Sequence, residues 1–168
     1  ATAEPLLRQF ASSNEVSVNL ATEVEGEMRY HACCRSPARL SVNLQVGSAV
    51  PVARTAIGRA FYAVSTKARQ AVIKDNLHAH LSDTDYQHTQ TALDAAVAHY
   101  DAHGYTLSDG EFSTDILAVA VGVFDVATGR YAYSLNASVP RANWDADAYA
   151  KMIVPKLQAL ALKIGRGE

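Results

Sequence analysis

The uninterrupted apolar run ILAVAVGVF, from Ile116 to Phe124, is the segment that most restricts how this chain can fold. It falls well short of the roughly 20 residues that cross a bilayer, yet it is too apolar to lie on a surface. A strand buried on both faces meets both conditions. DVATG then turns the chain into RYAYSLNAS, which reads as a neighbouring strand, so this pair is expected at the centre of a sheet.

More strands are legible near the start. EVSVNLATEV, Glu15 to Val24, places Val16, Val18 and Leu20 at a period of two, and EGE reverses the chain into MRYHACC, Met28 to Cys34. That is a hairpin. A third strand is expected in RLSVNLQV, where Leu40, Val42, Leu44 and Val46 share one face and Gly47 ends the run.

Helical signals occupy the rest. Pro5 suits the first turn of a short opening helix. Two helices are expected over about Val52 to Ala63 and Thr66 to His80, with Pro51 fixing the entry into the first. A longer one is capped by Asp83 or Asp85, carries Tyr86, Leu93, Val97 and Tyr100 on one side, and stops at Gly104. The last runs from near Trp144 to Ile164, with Gly165 as its stop and Pro155 expected to kink or divide it. Strands and helices are grouped instead of alternating, which favours an antiparallel sheet flanked by helices over a doubly wound parallel one.

At 168 residues, with 49% hydrophobic and 19% charged residues, the chain suits one domain with one continuous organisation. Its 15 Lys and Arg against 17 Asp and Glu leave a net charge of −2, which argues against unaided binding to a nucleic-acid backbone. No secretory leader or spanning segment is visible, and the two cysteines are adjacent, so a cytoplasmic location and no association with a membrane are expected.

Metal and nucleophile chemistry find little support. His31 with Cys33, His78 with His80, and His99 with His103 have ligand-like spacings, but the sequence assigns no third ligand to any of them, and Tyr100 stands where a zinc-protease helix has glutamate. No metal and no cofactor are expected. Cys33 or Cys34 near Arg29 or Arg35 would have a lowered thiol pKa, yet neighbouring strand residues face opposite ways, leaving one cysteine in the core and one exposed. No nucleophile elbow, P-loop or dinucleotide fingerprint occurs, and Asp83, Asp85, Asp145 and Asp147 fit helix starts. The stretch VPVARTAIGRAFYA is more informative. Ala53, Thr55, Ala56 and Gly58 leave a helix start bare enough for an anion to reach its N–H groups, although the same small residues also permit close packing on a sheet.

That stretch, followed by GYTLSDGEFSTDILAVAVGVFD, YSLNASVPR and the opening NEVSVNLATEVEGEMRYH, resembles the effector-binding domain of IclR-type transcriptional regulators over most of the chain. The resemblance implies a GAF-like α/β (α+β) fold with about six antiparallel strands and helices on both sides. It implies residues 1–14 as the remnant of a linker helix, 15–168 as a single effector-binding domain, and a winged helix-turn-helix for DNA that this chain lacks. The implied partners are a small organic acid effector and further copies of the chain, as homodimer or tetramer. Position by position, the implied effector-binding residues are Leu40, Val42, Val50, Ala56, Ile57, Ser108, Asp109, Ala118, Asn136 and Ser138, with Ser108 and Asp109 in an acidic turn. The acid's carboxylate would meet the N–H groups around Ala56 and Ile57, aided by Asn136 or Ser138, while Leu40, Val42 and Ala118 touch its carbon skeleton. Arg54 is placed either in the pocket or in solvent. Asp115, Gly122, Ala53, Ala118 and Ser108 depart from the family's usual glycine, proline, histidine, cysteine and acidic residue. The expectation is therefore a regulatory domain and not an enzyme, the alternative being a small GAF-like cytosolic enzyme using a Cys33 or Cys34 thiolate.

Overall fold

The computed structural model describes residues 3–36 and 45–168. Leu40, Val42 and most of the expected third strand lie outside them. The described elements are α1 (Ala3–Asn14), β1 (Ser17–Val24), β2 (Glu27–Cys34), β3 (Ala49–Pro51), α2 (Ala56–Val64), α3 (Lys67–His80), α4 (Asp83–His103), β4 (Thr106–Asp109), β5 (Ile116–Asp125), β6 (Arg130–Pro140) and α5 (Ala146–Gly165). The strands form one antiparallel sheet in the order β3-β2-β1-β6-β5-β4. Both strands of the hairpin β5–β6 are interior, but the centre of the order is the pair β1–β6, which joins the two hairpins, and β5 lies one strand from the edge.

The period-two pattern sends alternate residues to opposite faces. On one face Val18 and Leu20 of β1, Leu117, Val119, Val121 and Val123 of β5, and Leu135, Ala137 and Val139 of β6 make a core under α1 and α5. α5 contributes Tyr149, Ile153, Val154, Leu157, Leu160 and Ala161 at helical spacing, and α1 contributes Leu7 and Ala11. On the other face α2 lies across the sheet with Ile57, Ala60 and Phe61, backed by Ile73 of α3 and Leu93 of α4. α3 is tied to the first hairpin by an ion pair between Arg69 and the buried Glu23, whose carboxylate also accepts from Gly26 N–H at 2.6 Å.

Several expectations change in detail. Pro51 does not open a helix: it ends β3, paired with Glu27, and residues 52–54 turn before α2 begins at Ala56. Proline is tolerated there because β3 is an edge strand. Val46 and Gly47 lie in a turn, with Gly47 at φ 88°. The cap of α4 is Ser82, whose hydroxyl accepts from Asp85 N–H, so both aspartates sit in the first turn. Pro155 does not divide α5, since it and Lys151, whose carbonyl loses its donor, are both exposed to water. Ser108 and Asp109, expected in an acidic turn, belong to the edge strand β4.

The start of α2 is set by Thr55, whose hydroxyl donates to the Pro51 carbonyl at 2.7 Å and accepts from Gly58 N–H at 3.1 Å. Gly58 is required by contact: a Cβ there would overlap the backbone of Val52. Gly58→Ala is expected to destabilise the domain by about 2 kcal/mol, through overpacking against backbone that cannot yield. Urea unfolding of the variant beside the parent checks this.

Candidate functional site

The sheet face beneath α2 differs from the apolar face behind it. Cross-strand register aligns Ser108 of β4 with Ala118 of β5, Ser138 of β6 and Ser17 of β1. The next row is Thr106, Ala120, Asn136, Asn19 and Cys33. Small and polar side chains are therefore buried in rows across strands that are distant in sequence. Burial of so many polar groups is tolerated when they are hydrogen-bonded. Thr106 Oγ1 donates to the Ala56 carbonyl at 2.7 Å, Ser134 Oγ to the Ile57 carbonyl at 2.7 Å, and Ser108 Oγ to the Arg54 carbonyl at 3.4 Å. Asn136 Oδ1 accepts from both the backbone N–H and the side-chain amide of Asn19, at 3.1 and 3.0 Å.

These bonds fasten the first turn of α2 above the rows and leave a hollow of about 70 Å³ beside it. Its floor is Ser17, Asn19, Ala118, Asn136 and Ser138, with Ser108 and Ile116 at the β4 and β5 side. Thr55 and Ala56 bound it from α2, Tyr30 and Arg35 from β2 and the residues after it, and Phe112 and Ser113 from the segment between β4 and β5. Among the described residues, the N–H groups of Ala56 and Ile57 have no acceptor, as expected in a helix's first turn, and neither does the Ser138 hydroxyl. The helix dipole and Arg35, the one charged side chain of the described lining, both favour a negative guest. Burial raises the Tyr30 hydroxyl pKa above its ordinary value, with Cys33 adding to the rise and a hydrogen bond to Asn136 opposing it, so Tyr30 serves as a neutral hydroxyl.

Of the residues expected at a site, Ala56, Ser108, Ala118, Asn136 and Ser138 line this hollow. Val50 and Ile57 do not: their side chains are enclosed in the core beneath α2. Asp109 does not either, because the residue after Ser108 on a strand points the other way, and its carboxylate pairs with Arg141 at 2.6 Å. Arg54 is exposed and donates to the Glu111 carbonyl at 3.3 Å. Ser17, Asn19, Tyr30, Arg35, Thr55, Phe112, Ser113 and Ile116 were not among the residues expected to bind. A signal for part of them exists in SVNLA and SLNAS, where polar residues alternate with apolar ones in strands that are buried on both faces.

The cysteines depart from expectation. Both are half-buried, on opposite faces of β2, instead of one core and one exposed. Burial pushes the Cys33 thiol up to about 11, with Cys34 adding and Arg35 opposing, and burial likewise raises Cys34. The nearby arginines do not produce a thiolate.

A family model, Bacterial transcriptional regulator IclR C-terminal, matches residues 1–166. A comparison with curated proteins finds no match. Among solved structures, an IclR family transcriptional regulator from Brucella abortus superposes with a TM-score of 0.83 at 23% identity, covering 95% of this chain and 60% of that one. The chain thus spans about 60% of the length of that regulator. The inducer-binding domain of PobR from Acinetobacter, a double mutant solved with 3-hydroxybenzoic acid, gives 0.78 at 18% identity, with 98% and 95% covered. The C-terminal domain of the E. coli regulator KdgR gives 0.77 at 20% identity, with 99% and 95% covered. At these identities the superpositions speak for the fold.

Cys33 should react with iodoacetamide at pH 8 roughly tenfold more slowly than an unstructured cysteine peptide, because so little of it is thiolate. The rate should climb as pH approaches 11, and stopped-assay mass spectrometry after Cys34→Ser measures it.

Proposed function

Since the chain belongs to the IclR family of bacterial transcriptional regulators, as its C-terminal domain, we propose that it senses a small organic acid held in the hollow beside α2. The observation that carries this is the charge character of the site. The described lining offers unpaired N–H groups at a helix start, hydroxyls, amides and one arginine, and no carboxylate among the described residues. An acid's carboxylate would meet the N–H groups of Ala56 and Ile57, with Arg35 as counter-ion, while Ser138 and Asn136 meet a second polar group. Ala118, Ile116 and Phe112 would cover the carbon skeleton. Leu40 and Val42 are further proposed contacts from outside the described residues.

Binding here would act on transcription at a distance. We assign DNA contact to a winged helix-turn-helix elsewhere in the regulator, in keeping with the chain's net charge of −2. An effector changes operator affinity only if it binds two arrangements of a homodimer or tetramer with different affinity. We place this regulator in the cytoplasm, where a bacterial transcriptional regulator meets its DNA. A role without catalysis is supported by the raised thiols of Cys33 and Cys34, which make poor nucleophiles.

Thermal unfolding with 3-hydroxybenzoate and a panel of short keto, hydroxy and aromatic acids tests the proposal. An acid at a hundred times its Kd should stabilise the domain by about 2.7 kcal/mol. Ala56→Trp, which fills the hollow, should abolish the shift. Arg35→Ala should weaken acids by about tenfold while leaving the matching primary amides unaffected. A panel that shifts nothing, or an Ala56→Trp variant that binds as before, overturns the assignment.

A further inference from the structure

The middle of the segment between β4 and β5 meets the body of the domain at Glu111, whose carbonyl accepts from the exposed Arg54 at 3.3 Å and whose carboxylate makes the stronger contact. Glu111 forms a two-point ion pair with Arg59 of α2, at 2.8 and 2.9 Å. The two partners are unequally fixed. Arg59 is 11% exposed and also donates to the carbonyls of Ala53 at 2.8 Å and Leu107 at 2.9 Å, so it keeps its position without Glu111. Glu111 is 48% exposed and its carboxylate has no other side-chain partner among the described residues. The ends of the segment are anchored separately. Arg141 holds Asp109 at 2.6 Å, and Gly110 N–H donates to the Ile116 carbonyl at 3.0 Å. Between those ends Phe112 lines the hollow and is also 39% exposed, so it stands between the hollow and solvent.

We propose that the Arg59–Glu111 pair is the latch of the hollow: when Glu111 lets go, Phe112 and Ser113 swing away on their fixed ends and admit or release a guest. Arg59 is the fixed strike, and Glu111 is a positioning residue that acts through Phe112. Arg59 keeps the Glu111 carboxyl below its ordinary pKa, which leaves the latch charged at neutral pH. A half-exposed pair of this kind is strong enough to favour the closed form and weak enough to open repeatedly. The purpose of the latch rests on the ligand-site reading above, whereas its mechanics can be measured with no ligand present.

The test places a thiol inside the hollow. In a background of Cys33→Ser and Cys34→Ser, Ser138→Cys is modified with the small anionic reagent sulfonatoethyl methanethiosulfonate, with and without Glu111→Gln. Loss of the latch should raise the labelling rate by about fivefold or more. Labelling of Cys34, retained alone through Cys33→Ser and lying on the opposite face of β2, should not change. Equal rates at Ser138→Cys, or a parallel rise at Cys34 that reports general loosening, overturn the proposal. Should Ser138→Cys fail to fold, Ser108→Cys in the same row replaces it. A latch effect seen in a protein that no acid of the panel stabilises would retain the latch and remove the acid-sensing reading.

Discussion

The first turn of α2 hangs from sheet hydroxyls, and the rest of the site depends on that suspension. Thr106 and Ser134 donate to the carbonyls of Ala56 and Ile57, and Ser108 donates to that of Arg54 just before the helix, which pins the start of α2 to the sheet. The N–H groups of the same turn then face along the helix axis, out of the start, where the hollow lies. Thr55 closes the turn and Gly58 lets it approach Val52, so the amides are presented by a backbone with little freedom to move. Such fixed donors need no rearrangement to receive an anion.

The sheet divides labour between its faces. The face under α1 and α5 is Leu- and Val-rich and supplies apolar burial, the main favourable contribution to folding. The face under α2 carries serine, threonine, asparagine and alanine, which contribute less burial but make a floor of hydroxyls and amides. One face can carry this load only because the other is so thoroughly apolar. The arrangement follows from strand geometry: residues one apart in sequence serve different purposes.

Much of the fold was legible because its signals are local. The alternation in Glu15 to Val24, the run Ile116 to Phe124 and the spacing in Ala146 to Gly165 each declare an element from within a few residues. Pro51 misled because a proline suits both a helix start and an edge strand, and only the pairing with Glu27 decides. Ser108 and Asp109 looked like part of a turn because so short a strand is defined by its partner β5. At the site, Ala56, Ser108, Ala118, Asn136 and Ser138 were reachable through family resemblance. Asn19 was not, since its role comes from contact with Asn136, 117 residues away, and no local pattern reveals that register. Arg35 was considered only as a neighbour of the cysteines; its place at the hollow depends on how β2 ends against β1.

The row from Ser108 through Ala118 and Ser138 to Ser17 resembles a set of exchangeable tiles. Each tile projects into the hollow, while its sequence neighbours Leu107, Leu117, Val139 and Val18 belong to the opposite core. Exchanging Ala118 or Ser138 for another residue reshapes the chamber and leaves the supports in place, whereas Ser108 and Ser17 also hold Arg54 and Ser36. Two positions of one row can therefore alter the shape of the chamber while the apolar packing behind the sheet stays as it is.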